Sequence, residues 1–507
     1  MDPRTVPVII GVADVRWGRA GAPETPREPL DLISDATAQA LADTGVADIG
    51  RRVDTIYAVK TASWAYDDLP ALIGKQIGAP APRTATSTIG GHWPTALIDD
   101  IGSEIADGNS TVALLVGGEA QASVKALTKA GTDPAELGWV AAPGGPPTFS
   151  GDDLGSTDMQ RTGILTPTRV YPLFENRLAH DLGQTPAESL DQSARMYSTF
   201  SEVAARHPVS WSPTARTADD IATVGPRNRL VSDTYPLSMN AMPFVDQAAA
   251  VVLCSLNSAI EFGVPDDRIV YLWGGAGASD TVDVVARADF GASPALRSAI
   301  DRTLDRAGIS GADLSIVDSY SCFPVVPKLL VRALDLPPET VPSVLGGHSF
   351  FGGPLNSYTL HAIAEVTRLL RDGAPDDVAL VHANGGYLTH QHVVLLARRA
   401  HRDGYIGDPV PVVIPSDAPP LVHDYDGDAG IVTATVEYDR GGLPGVGLIV
   451  AETPDGRRVA GHTDSEGAAA LIAHTAEGTR SLVGTTVHLT DRGGQLTVSL
   501  SDDSMGL

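Results

Sequence analysis

Residues 320–323 read Tyr-Ser-Cys-Phe, residues 346–358 read GGHSFFGGPLNSY and residues 382–391 read HANGGYLTHQ. Two of these turns are rich in glycine, and the apolar runs 314–319 and 378–382 lead into the first and the third. Glycine lets a backbone take conformations and close approaches that a side chain forbids. Such turns suit strand and helix ends where a chain meets a ligand. Leu355, Tyr358, Ile363, Val366 and Leu370 lie mostly on one stripe, the spacing of a helix that buries one face.

Upstream the pattern alternates. Residues 269–273 predict a strand, 294–307 a helix, 314–319 a strand and 326–333 a helix, with further strands at 378–382 and 393–397. The first 118 residues alternate in the same way, with strands at 8–15, 53–59 and 111–116 and helices at 30–41 and 95–106. Continuously apolar strands between helices are covered on both faces, which predicts a parallel or mixed sheet. EIADGNSTVALLVGGE in the first block matches LLRDGAPDDVALVHANGG in the second, about 265 residues on. Each has a helix ending near Asp-Gly, a polar turn, an apolar strand and Gly-Gly, the mark of a duplicated unit. Between the blocks, residues 119–245 lose the rhythm, carry many prolines and glycines, and hold a helical patch at 188–205.

The expected units are therefore a first half at 1–118 and 246–265, a loop domain at 119–245, and a second half at 266–403. A proline- and aspartate-rich linker at 404–427 precedes strand-length runs at 428–507, among them IVTATVEY, VGLIVAET, AALIAH and TTVHLT. Short strands at this spacing predict a small antiparallel barrel or sandwich, and a barrel of this size suggests the oligonucleotide-binding type.

Composition narrows the function classes. The formal charge is -26, and the lysines are Lys60, Lys75, Lys125, Lys129 and Lys328. From residue 404 on, 15 acidic side chains face 5 basic ones, a net of about -10. This argues against nucleic acid and anionic membrane as partners. No apolar run is long enough to span a bilayer, and the N-terminus does not read as a secretion signal, so a cytoplasmic location is expected. Two cysteines, Cys254 and Cys322, exclude a disulfide scaffold. No spacing of His, Cys, Asp and Glu completes a metal site.

The order and spacing of the three turns, with GGHWPTAL at residues 90–97, resemble the thiolase superfamily over about the first 400 residues. The likeness is strongest to thiolase-like proteins near the sterol-carrier type, acetyl-CoA acetyltransferases among them, and in particular to mycobacterial thiolase-like type 1 proteins. It implies an α/β thiolase fold. Two similar βαβαβαββ halves stack as helix, sheet, helix, sheet, helix, and the barrel is added behind them. It also implies acyl-CoA chemistry in lipid metabolism, on a coenzyme A thioester as substrate or ligand and with no covalently bound cofactor. Monomer and homodimer both remain open.

The resemblance places Gly90 where a thiolase carries its nucleophilic cysteine, Gly353 where it carries the activating histidine, and Ala383 where it carries a second cysteine. Tyr320 stands in place of the histidine of a His-Asp-Cys-Phe motif. Candidate catalytic residues are therefore Tyr320, His348 as a substitute base, and His390. His392 shares a face with His390 if that segment is extended. Candidate ligand-contacting positions are Gly346, Gly347, Gly352, Asn384, Gly385 and Gly386. The expected function is a thiolase-like protein without conventional thiolase activity that binds an acyl-CoA. One alternative is a carbon–carbon lyase of retro-aldol type that acts on a 3-hydroxyacyl-CoA through Tyr320. In related lyases a separate partner supplies a similar barrel. A further alternative is acyl transfer by a relocated nucleophile, Cys254 or Cys322.

Overall fold

The computed structural model describes residues 2–18, 25–139, 155–476 and 478–500. Residues 140–154 of the expected loop domain and 501–507 of the expected barrel lie outside the described residues.

The first half alternates β1 (Pro7–Arg16), α1 (Pro29–Asp43), β2 (Thr55–Ala58), α2 (Leu69–Ile77), β3 (Arg83–Thr86), α3 (Trp93–Ala106) and β4 (Val112–Ala120). Pro94 in the first turn of α3 forfeits an amide that would have no intrahelical partner there. An insertion follows, with α4 (Gln121–Ala130), α5 (Thr157–Thr162), α6 (Pro167–Asp181), α7 (Pro186–Arg206) and α8 (Ala218–Ala222). The start of α7 is fixed by a reciprocal cap between Thr185 and Glu188. The chain then rejoins the sheet as β5 (Asp246–Ser255), every residue of which is buried, and turns through α9 (Leu256–Phe262).

The second half repeats the scheme with β6 (Val270–Ser279), α10 (Pro294–Ala307), β7 (Ile316–Asp318), α11 (Val325–Ala333), the short α12 (Gly347–Phe350), α13 (Tyr358–Asp372), β8 (Val378–Gly385) and β9 (His390–Ala397). The strand order is β3-β2-β4-β5-β1-β6-β9-β8-β7. Read outward from the β1–β6 seam, β5 answers to β9, β4 to β8 and β2 to β7, so the order mirrors itself. The matching Gly-Gly pairs fall near the ends of the two strands, Gly117-Gly118 still within β4 and Gly385-Gly386 where β8 stops. The seam is short, with Val8 opposite Tyr271 and Ile9 opposite Val270. α1 covers the outer face of the first sheet and α10 that of the second, while α3 and α13 touch each other between the two. The result is the expected five-layer thiolase arrangement.

Two features differ from the sequence reading. The expected linker contains a strand, β10 (Asp408–Val413), which pairs in parallel with β6. The barrel comprises β11 (Asp426–Tyr438), β12 (Pro444–Glu452), β13 (Arg458–His462), α14 (Ser465–His474), β14 (Thr486–Arg492) and β15 (Gln495–Leu500), closed in the order β11-β12-β13-β15-β14. AALIAH lies in helix α14, whose first turn Asp464 caps by accepting from the Gly467 amide. The barrel is antiparallel except where β13 meets β15.

The barrel is joined to the body. Leu448, Val450 and Ala460 belong to the body's apolar cluster. The buried guanidinium of Arg458 donates to the carbonyls of Val285 and Arg287. Thr433 donates to the Leu173 carbonyl at 2.6 Å, and Asn176 to the Ala434 carbonyl at 2.8 Å.

Candidate functional site

The three turns converge. A cavity of about 400 Å³ is walled by the turn before α3 (Gly90, Gly91), by Tyr320, Cys322 and Phe323, by the stretch from His348 to Asn356, and by the β8–β9 turn. The insertion closes it with Thr168 and Tyr171 of α6 and with Asn240. None of the described residues lining it carries a formal charge.

Of the expected site residues, Gly90, Tyr320, His348, Gly353, Asn384 and Gly386 line this cavity. His390 does not; it stacks on His92 with ring centroids 4.7 Å apart. His392 lies on the same face of β9 and meets Asp99 of α3 at 3.0 Å. Ala383 is buried in β8 and also lies off the cavity wall. Four of the expected ligand glycines serve packing instead. Gly346 and Gly347 bring the turn against α7, where a Cβ would strike Phe200. A Cβ on Gly352 would strike Gln247, and one on Gly385 would strike His92.

Gly90 holds φ at 153°, and a Cβ there would lie 2.7 Å from the His92 ring. Its amide donates to Asn356 Oδ1 at 3.0 Å, and Asn356 in turn donates to the Lys60 carbonyl at 2.9 Å. Tyr320 and His348 lie with ring centroids 4.2 Å apart, and His348 stacks on Tyr358 at 3.5 Å. Burial pushes the Tyr320 phenol up and holds the His348 imidazole well below its usual range. Both are therefore neutral near pH 7.

Residues that the sequence did not single out complete the wall. Tyr171 receives Asn384 Nδ2 at 2.9 Å, donates to the Gly386 carbonyl at 2.9 Å and stacks on Phe323 at 4.7 Å. Asn384 Oδ1 accepts from Gln391 at 2.7 Å, and Gln391 meets His382 at 2.8 Å. Tyr171 and Asn240 come from the insertion, where no spacing in the chain signals them. Cys322 is the one thiol among the lining residues, and burial pushes it up to about 12. Cys254 belongs to the first-half core and is pushed up to about 12 by burial as well. Thr168 at the rim donates to Glu437 of the barrel at 3.1 Å, and Arg169 pairs with the same carboxylate. No group of residues able to hold a metal ion occurs among the described residues, and no helix there is long and apolar enough to cross a membrane.

Residues 409–487 match the family described as the thiolase-like protein type 1 additional C-terminal domain. The chain is similar to an acetyl-CoA acetyltransferase of Methanocaldococcus jannaschii, 23% identical over 330 residues that cover 64% of this chain and 75% of the relative. Its fold is similar to that of a monomeric SCP2-thiolase-like protein type 1 from Mycobacterium smegmatis. That match has a TM-score of 0.80 and 29% identity, and covers 99% of this chain and 100% of the other. It is also similar in fold to the Ltp2-ChsH2(DUF35) aldolase, with a TM-score of 0.60 and 17% identity over 78% of this chain and 98% of the other. The body therefore has the thiolase fold, and residues 409–487 carry the additional C-terminal domain of thiolase-like type 1 proteins.

Proposed function

We propose that the cavity binds the acyl part of a coenzyme A thioester and that the protein carries out no thiol-dependent acyl transfer. The observation that carries this reading is the state of the one lining thiol. A nucleophilic cysteine must be a thiolate, and Cys322, at about 12, is a thiol at neutral pH. In the turn before α3, where the resemblance to thiolases puts the nucleophile, the residue is Gly90, which has no thiol for the helix N-terminus to activate. Cys254 is equally protonated and does not line the cavity, which disfavours a relocated nucleophile. The acetyl-CoA acetyltransferase relative supports a coenzyme A thioester as the ligand class, and the monomeric relative supports a monomer.

Calorimetry with acetyl-CoA and a thiolysis assay on acetoacetyl-CoA test this together. Binding heat without thiolysis is expected. An acetyl adduct on either cysteine, formed at the rate of turnover, would sink the reading.

The placement of Tyr320 supports a second reading, carbon–carbon cleavage of a 3-hydroxyacyl-CoA. Such cleavage develops negative charge on the thioester oxygen, and a protonated phenol can stabilise it. The aldolase relative supports the scaffold for this reading. Tyr320→Phe is expected to abolish any such turnover; unchanged turnover would rule out this role.

A further inference from the structure

We propose that His348 donates a hydrogen bond from Nε2 to the carbonyl oxygen of an uncharged acyl thioester bound in the cavity that His348 and Gly353 both line. This rests on the reading that the cavity takes an acyl group. The Ser321 amide lies 3.3 Å from Nδ1 of His348, and the Ser321 hydroxyl lies 3.2 Å from the same nitrogen. An amide N–H can only donate, so Nδ1 accepts, and the neutral ring carries its proton on Nε2. An imidazolium would set two donors face to face. His348 is thus a donor and not the base expected from the sequence.

Nε2 is buried and has no hydrogen-bond partner among the described residues. A buried donor without an acceptor calls for an explanation, and a ligand supplies one. Cδ2, bonded to Nε2, lies 3.5 Å from where a Cβ on residue 353 would stand. The donor edge of the ring therefore faces Gly353, opposite the edge held by Ser321. The stack on Tyr358 keeps the ring in that plane. Tyr320 adds a second protonated donor to the wall. Its contact with the Leu355 carbonyl, at 3.5 Å, is too long to hold the hydroxyl firmly.

The same wall sets the class of acyl group. With no cation among the lining residues, a carboxylate on the acyl chain would lose its water and gain no partner. Acetyl fits this site and succinyl does not.

The full chain, acetyl-CoA with an isotope-labelled carbonyl, and infrared difference spectroscopy test the proposal. The carbonyl stretch is expected to fall in frequency on binding. In His348→Phe that fall should vanish and affinity should drop about tenfold. Gly353→Ala should do the same, its methyl group resting against the ring at van der Waals distance without removing the imidazole. Residue 353 is not in the left-handed region, and its Cβ would meet nothing closer than the Met242 carbonyl at 3.2 Å, so this variant is expected to fold. Nitrogen NMR should find the Nε2-protonated tautomer, and succinyl-CoA should bind at least about tenfold more weakly. Acetyl-CoA bound with an unshifted carbonyl, an Nδ1-protonated ring, or equal affinity for succinyl-CoA overturns this inference alone. Absence of acetyl-CoA binding overturns both this inference and the acyl-binding reading.

Discussion

The hydroxyl of Tyr320 stands over Gly91, so near that a Cβ on Gly91 would lie 2.5 Å from it and 2.6 Å from the Asn384 carbonyl. The turn before α3 and the two second-half turns thus press together without room for a methyl group. Gly91→Ala should force Tyr320 aside and cost about 1–3 kcal/mol of stability, the usual range for overpacking. Denaturant unfolding measures this, and an unchanged midpoint would show that the contact is looser than described.

Installing a cysteine at residue 90, where the resemblance to thiolases puts a nucleophile, should not create a thiolase. Gly90→Cys sets a side chain on a backbone at φ 153° and drives its Cβ against His92. Residue 353, where the resemblance puts the activating histidine, is a glycine and offers no base. The expected result is a destabilised protein with no thiolysis of acetoacetyl-CoA. Measurable turnover would mean that the turn relaxes far more readily than its contacts imply.

Both thiols should resist modification in the folded protein. Cys254 and Cys322 are buried and each is pushed up to about 12. A disulfide-exchange reagent at mildly alkaline pH should label neither until denaturant is added. Fast labelling of Cys322 in the native state would contradict its assigned environment.

Arg458 ties the barrel to the second half through the carbonyls of Val285 and Arg287. Hydrogen bonds from a charged group are worth about 1.5–3 kcal/mol each, so Arg458→Met should lower stability by about 2–3 kcal/mol after the gain in apolar packing. Because barrel and body share a core, calorimetry should still find one transition. Two separate transitions in the unaltered chain would refute the shared core.

Stability should peak close to neutrality. Burial raises the carboxyls of Asp318 and Glu119 to about 7, so the folded chain holds protons there that the unfolded chain has released. That contribution is full at lower pH and is lost as pH rises through about 7. Burial lowers His382 to about 4 and holds His348 and His92 well below their usual range. The unfolded chain therefore takes up protons first, and stability falls below about 6.5. Urea midpoints across this range should form a dome, and Asp318→Asn should flatten its alkaline side. A steady rise into alkaline conditions would count against these assignments.

The layers of the body were legible because buried strands such as β4 and β5 are continuously apolar and separated by helical spacing. The barrel strands were legible from their turns. AALIAH was not, because six apolar-rich residues fit either period; the informative residue was Asp464, which caps α14. β10 was hidden by Pro409 and Pro411, which an edge strand tolerates and a central strand does not. Within the site, Tyr320, His348 and Asn384 could be found from motif order. Tyr171 and Asn240 could not, since they arrive from the insertion, far along the chain from the three turns. The glycine turn at 346–352 misled for a physical reason: close approach to a helix and close approach to a ligand demand the same residue, and Gly346 and Gly347 serve the helix.

The embedding of Leu448, Val450 and Ala460 in the body's apolar cluster fixes a stoichiometry. Whatever service the barrel renders is delivered once per molecule. Dilution cannot strip it away, and no cell can tune it by making more or less of a separate subunit.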